Sequence, residues 1–304
     1  SILKKPLLVC IVGPTAVGKT NVAITLAQQF STEIVSADSR QFFKEMSIGT
    51  AKPTPEELAA VPHHFINSHC ITEPFSVGDF EKVGLLLLEN LFKKHSILFL
   101  VGGSGLYVQA ITQGFDNLPK APPELRAELN KQLTEEGIEV LKKRLEALDP
   151  TYYAEVDTSN PQRLIRALEV CISTGQPFST YRTHVANERP FEVLTIGLNT
   201  ERYQLYDHIN KRVDAMMEQG LLAEVEILLP YRELNALQTV GYQELFDFFD
   251  GTKSLDKAVE EIKQNTRRFA KRQLTWFRKN TETHWFEPQQ LAEMTALISK
   301  KLKG

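Results

Sequence analysis

Near the start of the chain stand Gly13, Pro14, Thr15, Ala16, Val17, Gly18, Lys19 and Thr20, in the G-x-x-x-x-G-K-[ST] spacing of a phosphate-binding loop. Glycine at both ends lets the backbone curl until successive N–H groups point inward at an anion. Lys19 supplies a point charge for a terminal phosphate, and the Thr20 hydroxyl is placed to ligate Mg²⁺. A helix opening at Lys19 would aim its positive end at the same anion. The ligand this chemistry fits is a di- or triphosphate.

Two further residues could act on that ligand. Asp38 follows the apolar stretch Glu33-Ile34-Val35-Ser36. A carboxylate at the carboxyl end of a strand can take a proton from an acceptor attacking a bound phosphate ester. It can equally cap the following helix, and position alone leaves both open. Arg212 sits among Ile209, Val213, Met216 and Met217, so it faces an apolar side of its helix. An arginine there needs an anion, either a phosphate or the carboxylate of a structural salt bridge.

These residues need a scaffold. Residues 7–12 read as a buried strand, residues 33–36 as the next, residues 61–66 as a further short one, and residues 97–101 (I-L-F-L-V) as another buried strand. Helical stretches intervene, notably residues 75–94, and the fold class is α/β: a phosphate-loop core with a parallel sheet flanked by helices. The strand at 97–101 runs into Gly102-Gly103-Ser104-Gly105, where a nucleotide hydrolase places a Mg²⁺-associated aspartate. That weakens an ATPase reading and predicts that something bulky approaches the backbone there. His63, His64, His69 and Cys70 lack the spacing of a zinc site.

From about Asn117 the composition changes, with Pro119, Pro122 and Pro123 followed by a charged helical region at 124–148 and another helix opening at Asn160-Pro161. Strand character returns at 193–198. The expected division is a first core part at 1–117, an all-helical insertion domain at 118–190 closed by a polar loop at 182–189, and a second core part at 191–304. Gln162, Arg163 and Arg166 share one face of the insertion helix. In the last third, residues 238–244 form a loop entering a helix. Residues 258–279 carry Arg267, Arg268, Lys271, Arg272, Arg278 and Lys279 interleaved with Phe269, Trp276 and Phe277. Cations that track phosphates beside rings that stack bases suit unpaired RNA, although an amphipathic helix with a solvated basic face has the same pattern.

Composition limits the choices. The chain has 304 residues and a net charge of −3, so any nucleic-acid site is local. Three well-separated cysteines offer no disulfide framework, and no apolar stretch is long enough to span a membrane. The expectation is a cytoplasmic monomer with no membrane partner.

Taken in order, G-P-T-A-V-G-K-T, D-S-R-Q, G-T-A-K-P, P-H-H, V-G-G-S-G-L-Y, N-P-Q-R-L-I-R-A-L-E, V-G-Y-Q-E and R-R-F-A-K-R-Q-L-T-W-F-R resemble the bacterial tRNA dimethylallyltransferases over nearly the whole chain. The resemblance implies transfer of a dimethylallyl group from dimethylallyl diphosphate to the exocyclic amine of the adenosine 3′-adjacent to the anticodon, in tRNAs reading codons that begin with U. The cradle would hold pyrophosphate as a leaving group, with Mg²⁺. Asp38 would deprotonate the amine, and Thr20 and Arg212 would stabilise the departing pyrophosphate. The partner implied is the tRNA anticodon stem-loop. Its contacts would come from Asp38, Ser39, Arg40 and Gln41; from Ser104; from Gln162, Arg163, Leu164, Ile165 and Arg166; from Val240, Gly241 and Tyr242; and from Lys271, Arg272, Gln273, Trp276 and Arg278. Relatives often carry Thr where Ser104 stands. Competing readings are a small-molecule kinase using Asp38 as base, a transferase acting on free adenylate, and an RNA-binding module with a vestigial loop.

Overall fold

The structure, a computed structural model, describes residues 4–114, 121–182 and 189–304. The expected break at Asn117 and Pro119, and the closing loop from 183 to 188, lie outside the described residues. The described residues form two compact units, one made of Ser1–Pro74, Leu86–Val108 and Arg189–Gly304, the other of Phe75–Leu85 and Gln109–Glu188.

In the first unit a six-stranded sheet is built from β1 (Leu7–Val12), β2 (Ile34–Ser36), β3 (His63–His64), β4 (Ile97–Gly102), β5 (Glu192–Leu198) and β6 (His284–Phe286). The strands lie in the order β3-β2-β4-β1-β5-β6, and every neighbouring pair is parallel. Parallel neighbours need helical crossovers that cover both faces, and central strands buried on both faces read as unbroken apolar runs. Every residue of β1 is buried, which is why LLVCIV shows no alternation. One apolar cluster joins Val9, Phe99 and Ile196 of the sheet to Leu26, Ile209 and Met294 of the covering helices. A second gathers Met46, Val213, Leu221, Val225, Tyr242 and Ile262. The Arg202–Gln219 helix contributes Ile209 to the first and Val213 to the second, which anchors the turn that carries Arg212.

β6 has no sequence counterpart in the expectations above, which read the last third as helical. It is three residues long and exists through its pairing with β5; the Trp285 ring lies where a side chain at Gly197 would stand.

The second unit is helical throughout its described residues, with helices at Pro123–Glu136, Ile138–Leu148, Pro150–Glu155, Pro161–Thr174 and Phe178–Arg182. The single charged helical region expected at 124–148 is two helices, because Gly137 at φ 87° ends one and begins the next. Asn160 caps the fourth by accepting from the amides of Gln162 and Arg163, Pro161 opens it, and Gly175 at φ 70° closes it. The unit takes in Phe75–Leu85 and begins at Gln109, ahead of the compositional change at Asn117. Two contacts account for this: the Val77 amide donates to Gln176, and Gly84 lets Ile111 approach closely.

Candidate active site

All the loops that leave the carboxyl ends of β1, β2 and β4 border one cavity of about 560 Å³, within the first unit. Its floor is the phosphate loop. Gly13 at φ 150°, Ala16 at φ 66° and Gly18 at φ 110° turn the chain through left-handed backbone, and a Cβ on Gly13 would meet the Leu198 carbonyl oxygen at 2.6 Å. Pro14 and Val17 are buried beneath the loop. Gly18 then caps the Lys19–Gln29 helix, whose first turn lines the cavity.

Lys19 curls back so that its ammonium donates to the carbonyls of Gly13 at 2.9 Å and Pro14 at 2.8 Å. One of its three donors is left for an anion. Burial pushes the ammonium down to about 8, with Asp38 opposing the shift and Arg212 adding to it. Beside it, Thr20 lines the cavity, and its hydroxyl has no protein hydrogen-bond partner among the described residues.

Asp38 takes the capping role that the sequence left open, and it stands at the cavity where the other role would need it. It caps the 3₁₀ turn Ser39–Phe42 by accepting from the Arg40 amide at 3.2 Å through Oδ1, and the residue also lines the cavity. The turn is held from the β4 side, where the Ser104 hydroxyl accepts from the Ser39 amide at 3.1 Å and lies 3.3 Å from the Ser39 hydroxyl. Arg212 lines the same cavity, half-buried, with neither a hydrogen bond nor an ion pair among the described residues. The structural salt bridge that could have explained it is not formed there. Burial holds its guanidinium below the usual value, against the pull of Asp38 and Glu57.

The glycine run after β4 makes room for the protein itself. A Cβ on Gly102 would lie 2.6 Å from the backbone of Ala37, one on Gly103 would strike the Gln273 amide, and one on Gly105 would strike the Trp276 indole. The bulky approach predicted at this edge therefore comes from the chain's own β2 turn and its Leu255–Phe277 helix.

Several residues expected to touch RNA also hold this framework together, and of these Arg40, Gln41, Val240, Gly241 and Gln273 line the cavity as well. Gln41 is buried and donates to the carbonyls of Thr50 and Ala51. Arg40 clamps the carbonyls of Gly49 at 2.9 Å and Val240 at 2.8 Å through one nitrogen. Gly241, at φ 97°, turns the chain beside it. Tyr242 is fully buried, its ring against Gly49 and its hydroxyl donating to Glu224 at 2.8 Å, so that side chain presents nothing to a ligand. Gln273 is likewise buried and makes hydrogen bonds within the fold at both ends of its amide. Leu164 and Ile165 belong to the core of the helical unit, because the motif containing them winds once around a helix and only Gln162, Arg163 and Arg166 reach its outer face. Arg166 lies 3.7 Å from buried Glu169, which also pairs with Arg126 at 2.8 Å.

Sequence reasoning passed over Glu224. Its carboxylate accepts from the amides of Ser47, Ile48 and Gly49 at 2.9, 2.9 and 3.1 Å, folding the G-T-A-K loop around an internal anion. No local signal marks it, since it lies far along the chain on an unremarkable helix.

The Leu255–Phe277 helix presents Arg272 and Trp276 to the cavity and Lys271, Arg278 and Lys279 to solvent. Arg272 stands 5.8 Å over the Phe269 ring and Lys279 5.2 Å over Trp276. A second hollow of about 240 Å³ lies among Lys271, Arg272, Thr275, Trp276 and Lys279. No described helix is long and apolar enough to cross a membrane.

Residues 41–280 match the family model described as IPP transferase. The chain is 58% identical to a tRNA dimethylallyltransferase of Christiangramia forsetii over 92% of its own length and 93% of the relative's. It is 49% identical to the protein of that name from Cytophaga hutchinsonii, over 97% of each. Among solved structures it resembles a tRNA isopentenylpyrophosphate transferase from Bacillus halodurans, with a TM-score of 0.72, 39% identity and coverage of 98% of this chain and 97% of that one. It also resembles a eukaryotic dimethylallyltransferase described as acting on tRNA, with a TM-score of 0.68, 25% identity and coverage of 97% and 77%.

Proposed function

Because the chain belongs to the IPP transferase family, we propose that it transfers a dimethylallyl group from dimethylallyl diphosphate to the exocyclic amine of the adenosine 3′-adjacent to the anticodon, in tRNAs reading U-initial codons. The observation that carries this is a single cavity holding Asp38, Lys19, Thr20 and Arg212, with no carboxylate at the end of β4. Those groups suit a diphosphate that leaves intact.

In the reaction the amine nitrogen forms a bond to the first carbon of the dimethylallyl group while the carbon–oxygen bond to the diphosphate breaks. The bonding pair goes to the departing oxygen, and the amine proton goes to Asp38. An adenine amine is barely basic because its lone pair is delocalised into the ring, so a carboxylate placed to take its proton lowers the barrier. The cap from the Arg40 amide fixes that carboxylate in orientation. Lys19, the helix N-terminus behind it and Arg212 gather charge on the pyrophosphate as it leaves. The oxygen donors fit Mg²⁺, a hard cation, with Thr20 as the residue that would hold it; when bound, it would draw further charge from the leaving group.

To reach the cavity the adenine must leave its stack, which suits an unpaired loop. Trp276 and Arg272 on the cavity wall, with Lys271 and Arg278 outside it, offer a ring for a base and cations for phosphates. Gln162, Arg163 and Arg166 offer a second polar face on the helical unit.

The test is a single-turnover incubation with Mg²⁺, dimethylallyl diphosphate and an anticodon stem-loop carrying adjacent adenines. One added C₅H₈ unit at the adenosine 3′ of the anticodon is the expected result. Phosphate transfer from ATP to a small acceptor, with the RNA unchanged, would return the chain to a kinase.

A further inference from the structure

Gln273 borders the same cavity as its neighbours Arg272 and Trp276, yet its amide is spent within the fold. On the Leu255–Phe277 helix it shares the buried stripe with Ala270 and Phe277, while Lys271 and Arg272 are exposed. Its side chain is 7% exposed, and both ends of the amide are used. Oε1 accepts from the Thr15 amide of the phosphate loop at 2.8 Å, and Nε2 donates to the Gly103 carbonyl at the end of β4 at 3.0 Å. A Cβ on Gly103 would collide with that nitrogen, so the glycine and the glutamine fit one another.

We infer that Gln273 is a positioning residue for the phosphate loop, holding the Thr15 N–H on itself so that the remaining loop amides face the diphosphate. This rests on the prenyl-transfer reading above. Thr15 precedes Ala16, whose φ of 66° is strained for a residue with a Cβ, and a strained loop keeps its shape only when its surroundings over-determine it. Released from Gln273, the Thr15 amide is a part-buried donor without its acceptor, free to turn inward and disturb the cradle. The amide also ties the loop to the helix bearing Arg272 and Trp276, so the diphosphate end and the RNA-facing helix share one side chain.

The test uses Gln273→Met, which keeps the length of the side chain and drops both hydrogen bonds. The KM for dimethylallyl diphosphate and the dissociation constant for inorganic pyrophosphate should each rise about tenfold. Affinity for an anticodon stem-loop should stay within about twofold, and kcat should change less than KM. Gly103→Ala displaces the same amide from the opposite side and should give the same selective loss. The opposite split, with RNA affinity lost and pyrophosphate affinity kept, would make Gln273 an RNA contact and overturn the inference. Amide hydrogen exchange in the unaltered protein tests it independently of how the variants fold: Thr15 N–H should be protected, and rapid exchange in the folded protein would sink the latch. Pyrophosphate binding and exchange are read without turnover, so a protein that fails to prenylate RNA would remove the parent reading separately.

Discussion

Lys19, Asp38 and Arg40 each end in hydrogen bonds that their own neighbours fix, whereas Lys271, Arg272, Arg278 and Lys279 make neither hydrogen bonds nor ion pairs with their side chains among the described residues. Both groups lie in the same unit, and Lys19 in the one and the basic side chains of the other are suited to phosphate. At the phosphate loop the donors are placed by backbone turns and buried amides before any ligand arrives, which is the arrangement that stabilises developing charge without reorganisation. On the helix and just past its end, Arg272 and Lys279 stand over aromatic rings and Lys271 and Arg278 are exposed, an arrangement suited to following the backbone of a flexible RNA loop. On the proposed function the difference separates a reacting end from a recognising face, and each kind of residue should fail in its own way.

The largest effect is expected at Asp38. Asp38→Asn keeps an oxygen for the Arg40 amide but loses the base. Single-turnover prenyl transfer should fall by roughly 10³-fold, within the range for general bases, while stem-loop binding by anisotropy stays within a few-fold. A normal rate would take Asp38 out of the chemistry and dissolve the contrast. Next comes Arg212→Ala, which removes a charged donor and should raise the KM for dimethylallyl diphosphate by about 10- to 100-fold. Arg212 lacks a carboxylate partner among the described residues, so the melting temperature should hold or rise; a marked fall would mean that it holds the fold together.

A smaller effect is set by pH. Lys19 is charged below about 8 and loses its proton above that value, so pyrophosphate affinity should be level below pH 8 and decline above it, with proton uptake on binding in the alkaline range. Calorimetry in buffers of different ionisation enthalpy would detect that uptake, and a flat profile to pH 10 would show that the ammonium is not the group engaged. Smallest is the loss from Lys271→Ala with Arg272→Ala. Each phosphate contact removed should lower the salt slope of RNA binding by roughly 0.7 on a single strand, and an unchanged slope would leave the face merely solvated.

The sequence made the reacting end largely legible because its logic is local. A strand, a glycine loop and a helix follow one another within residues 7–29, and Asp38 follows the next strand directly. The helix opening at Asn160-Pro161 was legible for the same reason. What escaped depends on partners distant in the chain. β6 is a strand only because β5 lies beside it, and Glu224 matters only through the amides of residues 47–49. Leu164, Ile165, Tyr242 and Gln273 sit inside motif stretches, yet a contiguous motif on a helix or a tight loop faces both ways. Motif membership could not say which side chains turn to the core.

Gly102 carries a consequence for Asp38. An aspartate at that position would equip the end of β4 as nucleotide hydrolases do, but its Cβ would stand 2.6 Å from the Ala37 backbone and 3.0 Å from the Asp38 amide. Making room would shift the turn that aims Asp38. An aspartate at the end of β4 and the present setting of Asp38 therefore compete for the same space on this sheet.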